Sequence, residues 1–449
     1  MSTTAAHFPR TLSHRTSLSR AGYAFIAVFL IVVLEGAVRK WVLSSATLPL
    51  ILVRDLIAIY VIFYAWNSGA LRRQKRVTTP LLGWSCVVVG WGLLQLVGGE
   101  SSPTVLLIGL RFWLLYIWFG VAAAAAMTEA DYRAAILVAA GTLLVMAPLS
   151  VLQHFSPPGA RINAQTESTD EEGVFVAVAG VVRTTGTFSF TLGYTTFIAL
   201  LAPLVLALVG ARKRTRLQFL FVTAVFGCLV VASVVSGSRA AVIYSGLMVA
   251  TYFAGRLWLA KGKGKVRAAI AIFFGMILVA LLLYAFSGAI EVTGQRFEQA
   301  SEVEDFWERL LHIFIGEPYT YDKITWLGYG LGLGSNLATY VRTGDSTYFA
   351  LAEVEASRIL LEGGLIGYLF TALKLVVLSI GVGKSVRLAY RQRSVYPILL
   401  WMTVSLAILT WSAVGQISAH GLLGLLLAFG LLVFRFPKME FFPPRSAAT

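Results

Sequence analysis

The chain has 449 residues, 57% hydrophobic and only 13% charged, with a formal net charge of +15 and a mean hydropathy of +0.77. Soluble domains carry roughly 25% charged residues, so this composition excludes a large water-soluble core and indicates an integral membrane protein. The basic excess does not point to nucleic acid, because the lysines and arginines collect in short loops between apolar runs, as membrane topology dictates.

The first 20 residues are basic and form an expected cytoplasmic tail. The apolar run after them lacks a small-residue cleavage site and reads as a retained first span rather than a removed signal peptide. A crossing helix needs about 20 mainly apolar residues. The chain offers about twelve such runs, at residues 21–34, 48–66, 81–97, 105–127, 134–152, 190–209, 219–235, 240–253, 268–286, 359–381, 396–413 and 420–434. The eighth is short and reads as tilted or partly re-entrant. Spans one to nine thus occupy 21–287, spans ten to twelve 359–434, and a tail 435–449. This predicts an all-α polytopic membrane protein.

Between spans nine and ten lies a large polar loop, 288–358, holding QRFEQASEVEDFWERLLHIFIG, the glycine-rich LGYGLGLGSN and the start of EVEASRILLEGGLIG. Structureless connections of that length are uncommon, so the loop is expected to fold and to carry function. The basic connections at 71–76, 211–216, 259–267 and 383–393 fall on the same side as both tails. The positive-inside rule makes that side cytoplasmic and turns 154–189, the SGSR turn and 288–358 outward. Cys86 and Cys228 both lie in apolar runs, which leaves no disulfide framework or CxxC metal site. The AAAAA run of the fourth span reads as close helix packing, and STDEEG at 168–173 as a solvated tip.

The other prominent cations gather at the outer ends of spans: Arg39, Lys40, Arg54, Arg111, Arg183, Arg239, Arg309 and Arg358. A charge at membrane depth costs about 2.5–3.5 kcal/mol on insertion scales, so such groups face a cavity or a partner. Arginines converging on one leaflet make an anion site, since the planar guanidinium donates parallel hydrogen bonds to a diphosphate and keeps its charge. The competing reading is structural. Arg39 and Lys40 can snorkel at a span end, and Arg54 has Glu35 as a possible partner one span away, Asp55 being a sequence neighbour that points apart. Arg111, one to two turns into its span, is open to either reading. Arg239 sits in a tight SGSRAA turn with no acidic neighbour in sequence, where small residues and a following helix N-terminus admit an anion.

Several segments resemble the O-antigen ligase and polymerase superfamily. RTTGTFSFTLGYTTFIALLAPLVL is similar to its R-x-x-G-T-F lead into a central span, and SGSRAA to its S-R-small motif. ERLLHIFIG followed by WLGYGLGLGSN resembles its outer-loop arginine helix and G-x-G-x-G segment, and LLEGGLIGYLF its E-x-G-L-I-G span opening. EGAVRKW resembles a subgroup of that superfamily. The resemblance implies a glycosyltransferase of the bacterial cytoplasmic membrane acting at the outer face. It would move a glycan from a polyprenyl diphosphate to an acceptor hydroxyl, with inversion and without metal or cofactor. Implied partners are the lipid-linked glycan, an acceptor glycan, membrane lipids and other components of a polysaccharide assembly complex.

Ligases of that superfamily usually carry a histidine before the E-x-G-L-I-G element, whereas this chain reads STYFALAEVEASRILLEGG, with Glu353 and Glu355 in the neighbourhood. Glu355 is the candidate general base; the alternative is that it simply pairs with Arg358 across one helical turn. Arg239 and Arg309 complete the expected catalytic set, with Arg183, Arg111, Arg358, Gly330 and Gly332 as substrate-binding candidates. His312 reads as a surface partner of Glu308 or as the base, His154 as another outward histidine, and His420 as a buried, hydrogen-bonded core residue. The EVED run at 302–305 reads as a solvated face rather than a cation site. Two rivals stand beside the transferase. One is a multi-span transporter, against which the absence of internal symmetry argues. The other is a non-catalytic component of an envelope polysaccharide export complex. The missing histidine and EGAVRKW favour polymerase over ligase.

Overall fold

The computed structural model describes residues 17–164, 181–211, 214–303, 306–343, 351–352, 354–411 and 417–443. Nine crossing helices precede the long loop: α1 (Arg20–Trp41), α2 (Thr47–Asn67), α3 (Lys75–Val97), α4 (Pro103–Ala126), α5 (Glu129–Phe155), α6 (Thr191–Gly210), α7 (Arg216–Val235), α8 (Arg239–Leu259) and α9 (Lys263–Ala285). The loop contains α10 (Ser287–Val303), α11 (Phe306–Ile315), α12 (Asn336–Thr343) and α13 (Glu355–Gly363), and α14 (Leu365–Gln392), α15 (Tyr396–Thr410) and α16 (Ile417–Arg435) follow it. Among the described residues eleven helices are long and apolar enough to cross a membrane, and α15 is apolar but shorter. The protein is a polytopic, all-helical membrane protein.

Local chemistry starts the helices where they start. Ser19 caps α1, and Thr128 and Thr215 open α5 and α7 with capping boxes completed by Asp131 and Gln218. Asp131 also accepts hydrogen bonds from the Ser19 backbone N–H (2.8 Å) and hydroxyl (2.6 Å), tying the start of α1 to the start of α5. The eighth span is a regular 21-residue helix rather than a short or re-entrant one. Ser238 caps it, so it begins just before the apolar run and continues past it.

Burial sorts the spans. α6 has 89% of its apolar stretch buried and is the central helix, whereas α9 has 6% and lies at the periphery of the bundle. Alternation of direction brings the basic connections to one end of the bundle and the long loop to the other, here termed the loop face.

The tenth span opens at Leu365, not at residue 359. Gly364 takes φ +55 and reverses the chain, and Gly367 lets the Ile359 carbonyl approach the α14 backbone. α13 therefore folds back antiparallel along the first turns of α14. Its residues Ser357–Gly363 and Glu355 are buried, so what sequence reads as the first turns of a span is a separate helix inserted beside it.

Candidate functional site

One group of buried charges at the loop face lies between α1, α2, α4 and α16. Arg54, fully buried, donates from Nη1 to both Glu35 carboxylate oxygens at 3.0 and 2.9 Å. Glu35 also accepts from the Ser418 hydroxyl at 3.1 Å. Arg111 binds Asp55 through Nε and, at 3.2 Å, through Nη2, and the Tyr116 hydroxyl donates to the same carboxylate at 3.0 Å. His420 is buried, with Nε2 at 3.2 Å from the Arg111 carbonyl and its ring against Phe112 and Tyr116. The π-helical turn Arg111–Leu115 within α4 aims these groups inward. Two guanidiniums and two carboxylates balance. Arg111, expected as a substrate ligand, is thus paired within an internal network.

The RTTGTF segment lies across α1 and α5 as a strap. Gln153 accepts the Thr185 and Gly186 N–H groups through Oε1 and donates to the Gly186 carbonyl through Nε2. Lys40 donates to the Thr185 hydroxyl (2.9 Å) and the Gly186 carbonyl (2.7 Å). The Thr184 N–H meets the Ser236 carbonyl at 3.2 Å, so the strap is joined to the SGSR turn. Arg183 and Arg239, both half-buried, flank that junction.

The glycine-rich segment is explained by packing. Gly328 and Gly332 have φ +79 and +87, and a Cβ would collide with the Glu362 carbonyl at the first and with the Gly109 backbone at the second. The buried Glu362 carboxylate accepts from Gly332 N–H (3.0 Å), Gly334 N–H (2.9 Å) and Trp113 Nε1 (3.0 Å). Gln95 donates to the Leu327 and Glu362 carbonyls and accepts from Leu331 N–H. Gly330 and Gly332, expected as substrate-binding backbone, are therefore buried elements of a lock on α3, α4 and α13. Burial raises the Glu362 carboxyl to about 7, against the hydrogen bonds from Trp113 and Gly332 and the Arg358 charge, with Glu355 adding to the rise.

At the far end of α13, Glu355 and Arg358 are both buried and lie 3.8 Å apart across one turn. Arg358 donates from Nε and Nη2 to the Ala352 carbonyl at 3.2 and 3.0 Å. Ser357 fixes the helix from another side, accepting from Glu317 N–H and the Thr320 hydroxyl. α13 packs on α11, α14 and α15. Two further contacts converge on the end of α15: the Tyr244 and Thr410 hydroxyls lie 2.6 Å apart, one and a half turns below Arg239, and Lys374 of α14 donates to the Ile408 carbonyl at 3.4 Å. α8, which Arg239 starts, and α13, which Glu355 starts, thus both pack against the same short helix.

Arg309 lies on α11, but its side chain is outside the described residues, as are Glu353 and the side chains of the EVED run. His312 pairs with Glu308 at 3.8 Å. Among the described residues no group of three or more His, Cys, Asp or Glu could hold a metal ion. Sequence reasoning missed Glu362, Gln95 and Trp113, whose joint role depends on three separate segments meeting. It also missed Lys374, which had a visible signal as the one cation inside an otherwise apolar run. No protein-family model matches the chain, and no curated protein matches it.

Proposed function

We propose that the chain transfers or polymerises glycans carried on polyprenyl diphosphate, as a divergent relative of the O-antigen ligases and polymerases. The observation that carries this reading is a buried carboxylate, Glu355, on a loop-face helix packed against α15, with the half-buried Arg239 starting α8, another helix that packs on α15. The loop face is the outer side of a bacterial cytoplasmic membrane, by the location of the basic connections at the opposite end.

Glu355 takes the proton from the acceptor sugar hydroxyl. The hydroxyl oxygen forms a bond to the anomeric carbon as the bond from that carbon to the diphosphate oxygen breaks, inverting the centre. The diphosphate leaves with the bonding pair, and Arg239 and Arg309 stabilise its growing charge, with Arg183 beside the same turn. Fixed cations aimed at a developing charge commonly contribute more to such catalysis than any other single effect. Arg358 contributes by holding α13 and facing Glu355.

Replacement of Arg239 with alanine, or of Glu355 with glutamine, tests the reading in the native host. Lipid-linked glycan is expected to accumulate while the variant inserts at wild-type level. Unchanged glycan output would overturn the catalytic reading and leave a transporter or a non-catalytic component of an export complex.

A further inference from the structure

Lys374 is an ionisable group that the reaction above does not use, and its position is unusual. It lies about 14 Å along α14 from Leu365 at 1.5 Å per residue, near the middle of the apolar stretch that ends at Lys384. A cation at that depth is costly and needs a partner. The Ile408 carbonyl takes one of its three N–H groups, and the Phe370 ring lies 4.9 Å from Nζ.

The α13–α14 hairpin supplies the rest. With the chain reversing at Gly364 and Ile359 seated against Gly367, Glu355 lies about 12 Å down α13 from the turn, close to the level of Lys374. A helical lysine leans toward its own N-terminus, which on α14 is toward the loop face and α13. The two groups interact electrostatically. Among the described residues, the charged groups near Glu355 include Arg358 on its own helix and Lys374 on α14, with Glu362 further up α13; α11, which also packs on α13, carries Glu308 and His312, and α15 presents the Ile408 carbonyl and Thr410.

We infer that Lys374 is a positioning residue for the Glu355 carboxylate, holding it ionised and turned toward the end of α15. The bland alternative is that Lys374 only caps the last carbonyls of α15. The assignment of a purpose to the pair rests on reading Glu355 as the base.

Infrared difference spectra of the protein in lipid nanodiscs test the pairing without any glycan. The Glu355 carboxyl band, assigned by its loss in E355Q, is expected to titrate about one pH unit higher in K374M, since loss of a neighbouring cation disfavours the ionised form. K374R should titrate as wild type. K374Q keeps an N–H for the Ile408 carbonyl but not the charge, so it should shift like K374M and serves if K374M fails to insert. A band that titrates identically in wild type and K374Q would overturn the inference and leave Lys374 as a helix cap. Failure of E355Q cells to accumulate lipid-linked glycan would instead remove the catalytic role while leaving the pair intact, so the two failures are distinguishable.

Discussion

Arg54 and Arg358 are both fully buried guanidiniums at the loop face, yet their surroundings differ in kind. Arg54 grips both oxygens of Glu35, and its neighbour Asp55 is held by Arg111 and Tyr116. Arg358 spends its hydrogen bonds on the Ala352 carbonyl and meets Glu355 at 3.8 Å, longer than a hydrogen bond. The first group is closed in charge, two guanidiniums on two carboxylates across four helices, although Arg54 Nε and Arg111 Nη1 lack a hydrogen-bond partner. The second opens onto the loop face, where it links a loop helix to Lys374 of α14 and where Arg239 starts α8. Burial of charge marks cost; what a buried charge is for depends on what it ties together.

Removing one side of the closed network should have the largest effect. Arg54→Ala leaves Glu35 buried with one hydroxyl donor, and breaking a buried pair costs about 3–5 kcal/mol. Denaturation of the purified protein in detergent should show that loss, along with reduced membrane levels. A variant that retained wild-type stability would refute this division into a closed group and an open one.

The open group should respond the opposite way. Arg239→Ala is expected to leave the denaturation midpoint unchanged and to lower transfer by about 10²–10³-fold, the usual cost of removing one transition-state donor. Rate measured with a lipid-linked glycan against protein amount separates the two. Between these extremes, Glu362→Ala leaves Trp113 Nε1 and the Gly332 and Gly334 amides without their acceptor. With each buried donor costing about 1–3 kcal/mol, destabilisation of about 3 kcal/mol and a change in Trp113 fluorescence should accompany it.

Much of the fold was legible in sequence, because span length and loop charge are local properties. The twelve runs correspond to eleven long helices and the shorter α15. The site was legible in part. Arg54 with Glu35, Glu308 with His312 and Glu355 with Arg358 are partners one turn or one span apart, and each pairing was a reading open from the residues. The packing role of Gly330 and Gly332 was not legible, because a glycine that admits a sugar and one that admits Gly109 or Ser101 look alike in sequence. Arg111 was ambiguous because Asp55 lies on another helix. The hairpin at Gly364 was hidden by the apolar residues on both sides of the turn, which read as one run.

The lock that Glu362 forms should also depend on pH. Its carboxyl titrates at about 7 when buried and in the ordinary carboxylate range once the segment opens, so the closed state holds a proton that the open state releases. The lock is therefore at full strength below the ordinary range and weakens as pH rises through 7. Hydrogen exchange of the Gly332 and Gly334 amides, corrected for intrinsic rate, should accelerate over that interval in wild type. In Glu362→Gln the acceleration should vanish; its persistence would assign the titration to another group.

The smallest effect belongs to His312, and it bears on which group acts as base. The ring meets Glu308 at 3.8 Å across one turn of α11, with the Glu308 side chain 66% exposed. An exposed pair of this kind contributes at most about 0.5 kcal/mol, so His312→Ala should leave stability nearly unchanged. Both α11 and α13 pack against α15, but His312 is engaged by an exposed glutamate, whereas Glu355 is buried beside Arg358. Transfer by His312→Ala should accordingly stay within about twofold of wild type, a change of about 0.4 kcal/mol. A hundredfold loss at wild-type stability would move the base from α13 to α11, and with it the position of the acceptor sugar.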